Sequence, residues 1–151
     1  MENTAKEPRQ CQTQMRSLQT VRGQLTFCDL QYRGETTASM NVRVENGVFY
    51  MEVRLDRYHK PDAVRFLLSE RQRAGLQYVV WGSNILPLNG WQMELADDAP
   101  GVRCRLEMRY TTGERYFLAF DGGRSPYGFD KAMNHLAVYF MHLAETGEEK
   151  E

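Results

Sequence analysis

Between Ala38 and Leu55 apolar and polar residues alternate through two runs that meet at Asn46-Gly47. Both turn residues tolerate the positive φ of a type I′ turn, so this pattern predicts a two-residue β-hairpin. The turn sets Val44 opposite Phe49, Val42 opposite Met51, Met40 opposite Val53 and Ala38 opposite Leu55 on one face. Ser39, Asn41, Arg43, Glu45, Tyr50, Glu52 and Arg54 fall on the other. One apolar and one polar face is the mark of an antiparallel sheet packed on one side, which favours an α+β domain over a parallel nucleotide-binding fold.

The same reasoning extends along the chain. Leu25, Phe27, Leu30 and Tyr32 place a first strand over Gln24–Arg33, ended by Gly34. After the polar link Asp56-Arg57-Tyr58-His59-Lys60, Pro61 with Asp62 suits a helix start, and a helix is predicted over Pro61–Ala74. Val64, Leu67, Leu68 and Ala74 would face the sheet, with Gly75 as C-terminal cap. Leu76–Trp81 has the character of a buried strand, and Asn89-Gly90 suggests a second hairpin joining Ile85–Leu88 to Trp91–Leu95, with Pro87 marking an edge. Beyond the turn cluster Asp97–Gly101, Val102, Cys104, Leu106, Met108 and Tyr110 alternate with Arg103, Arg105, Glu107 and Arg109. Thr111-Thr112-Gly113 returns the chain through Arg115–Phe120, with either Tyr116, Leu118 and Phe120 or Phe117 and Ala119 turned inward. Ser125 and Pro126 can open a last helix whose buried stripe is Phe129, Met133, Leu136, Phe140 and Leu143. The predicted fold is a curved antiparallel sheet of about six or seven strands with two helices on one face, the C-terminal one long.

Composition narrows the classes. At 151 residues the chain is one domain long and can bury a core without staples. Residues 1–17 are polar and predict a disordered or loosely attached arm, 18–146 a single α+β domain, and 147–151 a frayed acidic tail. Cys11, Cys28 and Cys104 form neither a disulfide framework nor a zinc knuckle, and the chain has no run of membrane-spanning length; both point to a cytoplasmic protein. Net charge is −1, so no global field recruits nucleic acid or a membrane. Fifteen of the nineteen basic residues are arginine, whose planar fork suits carboxylates, phosphates and aromatic faces; a GC-rich genome gives the same bias.

No residue set forms a coherent catalytic, cofactor or metal constellation. Asp56 and His59 stand where general acid-base chemistry is found, yet a polar connector has the same composition. Gly122-Gly123-Arg124-Ser125 resembles an anion loop without the Walker or dinucleotide spacing, and His135 and His142 are too far apart for a helical zinc pair. More suggestive are Val138 and Met141, which fall outside the buried stripe of the last helix, and Ile85, Leu86 and Trp91 in an apolar loop that would serve either as a partner contact or as a plug for the core. Arg43, Arg54, Arg103, Arg105 and Arg109 collect on the polar sheet face, interleaved with acids. The reading that follows is a non-catalytic protein–protein interaction module of the adaptor, chaperone or immunity-subunit kind, with another protein or a second copy as partner. Its alternatives are a small enzyme using Asp56 and His59, or single-stranded nucleic-acid binding through the arginines.

Overall fold

The computed structural model describes residues 23–34, 38–55, 58, 60–92, 102–121 and 125–147. Six strands, β1 (Leu25–Arg33), β2 (Ser39–Glu45), β3 (Val48–Arg54), β4 (Asp62–Leu67), β5 (Arg103–Tyr110) and β6 (Arg115–Phe120), form one antiparallel sheet in the order β4-β3-β2-β1-β5-β6. Two helices, α1 (Glu70–Gly82) and α2 (Phe129–Thr146), lie on one face of it. No helix among the described residues is long and apolar enough to cross a membrane.

The central hairpin follows the predicted register, with Val44 opposite Phe49 and Met40 opposite Val53. Asn46 and Gly47 take φ of 54° and 79°, as a type I′ turn requires. The ladder stops at Ser39 and Arg54, so Leu55, assigned to the core face by alternation, is 66% exposed. In β6 the inward residues are Tyr116, Leu118 and Phe120, and the Tyr116 hydroxyl donates to the carbonyl of Ile85 at 2.8 Å. Gly113 takes φ 96° in the preceding loop.

The stretch between β3 and β5 corrects the sequence reading. Asp62–Leu67, predicted as the first half of a helix, is a strand in which Val64 and Phe66 turn inward beside Met51 and Phe49. The helix begins only after Ser69, whose hydroxyl accepts the Gln72 N–H while the Gln72 side chain accepts the Ser69 N–H. This capping box satisfies two otherwise orphaned donors and fixes the start more firmly than Pro61 could. Leu76–Trp81, predicted as a strand, continues the helix with Gln72, Leu76 and Val80 on its buried stripe. Gly75 is not a cap: it lies inside α1, where a side chain would meet the Tyr139 hydroxyl of α2 at 2.5 Å.

In place of a second hairpin, Leu86–Leu88 forms a short 3₁₀ turn, and residues 89–92 run beside β6. The last helix starts at Phe129 with Gly128 as its N-cap, not at Ser125-Pro126, although its buried stripe is the predicted one. It runs antiparallel to α1, with the Gln72 amide donating to the Gly147 carbonyl at 3.4 Å. Phe129 packs on Phe120 at one end and Phe140 on Phe49 further along, so α2 crosses the sheet and closes the core. The expected N-terminal arm and acidic tail lie outside the described residues, apart from Gly147.

Candidate functional site

Both helices cover one side of the sheet, and no element among the described residues covers the other. Strand register arranges it in rows. The first runs Arg65, Tyr50, Arg43, Asp29, Glu107, Phe117 from β4 to β6, and the next runs Leu67, Val48, Glu45, Phe27, Arg109, Arg115. On the opposite flank come Ala63, Glu52, Asn41, Gln31, Arg105, Ala119, followed by Arg54, Ser39, Arg33, Arg103. Eight arginines and four carboxylates therefore project from the strands on a chain whose net charge is −1. The basic excess is concentrated here.

Phe27 shows how the face is built. Simple alternation would put it on the same side as Leu25, but the register shifts between these residues, so the chain enters β1 with Leu25 inward and Phe27 outward. The ring is nevertheless only 7% exposed, because the guanidiniums of Arg109 and Arg43 stand 4.2 and 5.2 Å from its centroid. Arg43 also pairs with Asp29 at 3.2 Å and Glu45 at 3.1 Å, and Arg109 with Glu107 at 3.0 Å. Arg105 lies 5.2 Å over Phe117. Each guanidinium stands within cation–π range of a ring, a contact to which arginine's planar, weakly hydrated fork is well suited. The Tyr50 phenol is held above its ordinary pKa chiefly by the hydrogen bond it donates to Glu52.

At the end of the sheet Arg33 and Arg103 stand directly opposite each other, an arrangement that like charges disfavour. Asp121, fully buried just past β6, lies 3.9 Å from Arg103 and offsets part of that repulsion.

The other sequence candidates separate across the molecule. Ile85 and Leu86 are buried and belong to the core, so these two residues plug it. Trp91 is half-buried beside them; its indole N–H has no hydrogen-bond partner among the described residues. Val138 (63% exposed) and Met141 (40%) do sit on the outer face of α2, on the opposite side of the molecule from the arginines. Tyr78 and Trp81 form a ring pair on the exposed side of α1 that strand assignment had concealed. Asp56, His59 and Arg124 lie outside the described residues. A cleft of about 860 Å³ between the end of α1 and the start of α2 brings Asp130, Lys131 and His135 to one rim. No group of metal-ligating side chains occurs among the described residues.

Of the face residues, Arg43, Arg54, Arg103, Arg105 and Arg109 were visible in the alternating strands. Arg65 was missed because its segment was taken for a helix, and Arg33 and Arg115 because their strands gave no firm register. The signal for Phe27 was the change of apolar parity from Leu25 and Phe27 to Leu30 and Tyr32, which marks a bulge. A scan of the chain against protein-family models matches none of them, and a search of curated proteins returns no match.

Proposed function

We propose that the chain is a non-catalytic interaction module that presents the open face of its sheet to an acidic surface of another protein. The observation that supports this most is the excess of arginine over carboxylate on an uncovered sheet whose aromatic rings lie beneath guanidiniums. A single-strand binder offers bare rings to bases and a continuous basic track to phosphates. Here Phe27 is roofed by Arg43 and Arg109, and Asp29, Glu45, Glu52 and Glu107 interrupt every path across the strands except the last row. Interleaved charges of both signs suit a folded protein partner, whose complementary pattern sets orientation and suppresses wrong partners.

Site-specific photo-crosslinking tests the reading. A crosslinking amino acid at Gln31, exposed in the middle of the face, is expected to give discrete protein adducts in lysate of the source cell, and these should fall with rising salt. The same group at Ala74 of α1, on the helix side, should not. Nucleic-acid adducts at Gln31 would replace this reading with the single-strand one; protein adducts at Ala74 alone would move the interface to the helices.

A further inference from the structure

The two edges of the sheet are finished differently. Along β6 the segment 89–92 covers the edge: the Gly90 N–H donates to the Phe117 carbonyl at 2.7 Å, the Ala119 N–H to the Trp91 carbonyl at 3.0 Å, and the Phe117 N–H to Asn89 Oδ1 at 2.9 Å. Along the outer edge of β4 no segment pairs among the described residues. An uncovered edge is a template for another strand.

Which backbone groups face outward follows from one bond. The Leu68 N–H donates to the Gly47 carbonyl at 2.8 Å, and the ladder below it is regular. In such a ladder alternate residues bond the neighbour, so Phe66, Val64 and Asp62 face β3, and Leu67, Arg65 and Ala63 turn their N–H and C=O groups away from the sheet. Any strand added here must pair with those odd-numbered residues.

We propose that the occupant is a second copy of this chain, its β4 running antiparallel across a two-fold axis through Val64. In this register Arg65 and Ala63 of the two copies exchange both backbone hydrogen bonds, and the Leu67 N–H reaches the carbonyl of Pro61. Proline offers only its carbonyl there, so this end pair makes one bond where Arg65 and Ala63 make two, and the Leu67 carbonyl is left to solvent. Side chains fit the same register. Arg65 has no ion-pair partner among the described residues, and neither has Glu52. Glu52 lies beside Ala63 on the open face. Each Arg65 thus lands opposite the small Ala63 of the other copy and extends over it to Glu52, about 9.5 Å away between Cα atoms. Leu67, 73% exposed, comes to rest against Pro61. A two-fold axis through Arg65 would instead set the two guanidiniums against each other, and one through Ala63 would shorten the overlap. Because only odd-numbered residues pair, both copies keep their helices on the same side. The two six-stranded sheets then become one, with a continuous arginine face. This inference is independent of what that face binds.

Sedimentation velocity on the full chain over a wide concentration range is the test, with circular dichroism confirming that each variant is folded. The wild-type chain should sediment as twice 17.6 kDa at the upper concentrations. R65E, which sets two carboxylates together, and E52R, which sets two guanidiniums together, should each weaken the dimer by about tenfold or more, and the double variant should restore it. A wild-type chain that stays monomeric throughout overturns the proposal. So does a dimer indifferent to both single substitutions, which would place the contact elsewhere, the exposed faces of α1 and α2 included.

Discussion

Phe49 and Phe27 are both shielded from water, at 0% and 7% exposure, on opposite faces of the same sheet. What shields them differs. Phe49 lies under hydrocarbon, with the rings of Phe66 and Phe140 at 5.2 and 6.4 Å, whereas Phe27 lies under the guanidiniums of Arg109 and Arg43. The first cover is a packed layer held by the fold. The second consists of half-exposed side chains that a partner can engage or displace. The two faces should therefore fail differently under the same substitution. Phe49→Ala opens a cavity among neighbours that cannot collapse, and should cost about 3–5 kcal/mol in urea unfolding. A loss below about 2 kcal/mol would mean that α2 is not firmly seated on the sheet.

The next difference appears with pH. Cys28 and Cys104 are buried on the core face, and burial pushes each thiol from an ordinary value of 9.0 up to about 12, with the nearby Asp29 charge adding to the effect at Cys28. The Tyr110 phenol is raised as well, again mainly by burial, with Cys28 adding to the effect. The folded protein thus holds protons that the unfolded chain releases above pH 9. Their contribution is fully present below that pH and is withdrawn as pH rises toward 12, each thiol removing about 1.4 kcal/mol per pH unit. Urea unfolding at pH 8 and pH 10 should show this loss, and replacing both cysteines with alanine should flatten it. An unchanged slope in the double variant would move the alkaline sensitivity away from the core thiols.

These two faces were not equally legible in the sequence. Alternation in β2, β3 and β5 identified their inward and outward residues, because a two-residue turn or a clean period of two leaves no freedom in register. Where the segment was apolar on several faces, local cues competed. Asp62–Leu67 can be drawn as a helix or as a strand, and Pro61 tipped the reading toward helix. The decisive signal was the Ser69-x-x-Gln72 capping box, followed by Leu76 and Val80 at helical spacing. Gly75 was misread for the same reason: a glycine that lets Tyr139 of α2 approach looks, in one dimension, like a helix stop. The composition of the open face was visible. Its position relative to the helices was not, since only tertiary packing decides which side of a sheet is covered. Ile85 and Leu86 illustrate the converse, because an apolar loop reveals nothing of whether its residues point into the core or out of it.

On the open face, Phe27→Ala should cost about 2 kcal/mol, made up of lost ring burial and weak cation–π contacts. Arg43 and Arg109 can fold into the space, and water can enter beside them, so no trapped void adds to the loss. A cost equal to that of Phe49→Ala would make the arginine face a second core and remove the comparison.

The smallest effect is the most informative about function. Arg43→Ala and Arg109→Ala each remove a guanidinium whose side chain is nearly half exposed, at 48% and 46%. Exposed ion pairs contribute little, so each change should cost less than about 1 kcal/mol of stability, with the uncovered Phe27 ring accounting for part of it. Binding should respond differently. A guanidinium that is cheap to lose from the free protein becomes costly to lose once an acidic partner has displaced its water, because the partner's carboxylate is then left buried without its match. The measurement is therefore a pair: thermal unfolding of each variant, and crosslinking yield from Gln31 in the same background. Stability held within about 1 kcal/mol and a sharp fall in adducts would show that these arginines are retained for contact and not for folding. Equal adduct yields in both variants would leave Arg43 and Arg109 as a roof over Phe27, and would shift the contact toward Arg33, Arg54 and Arg103 at the far end of the sheet.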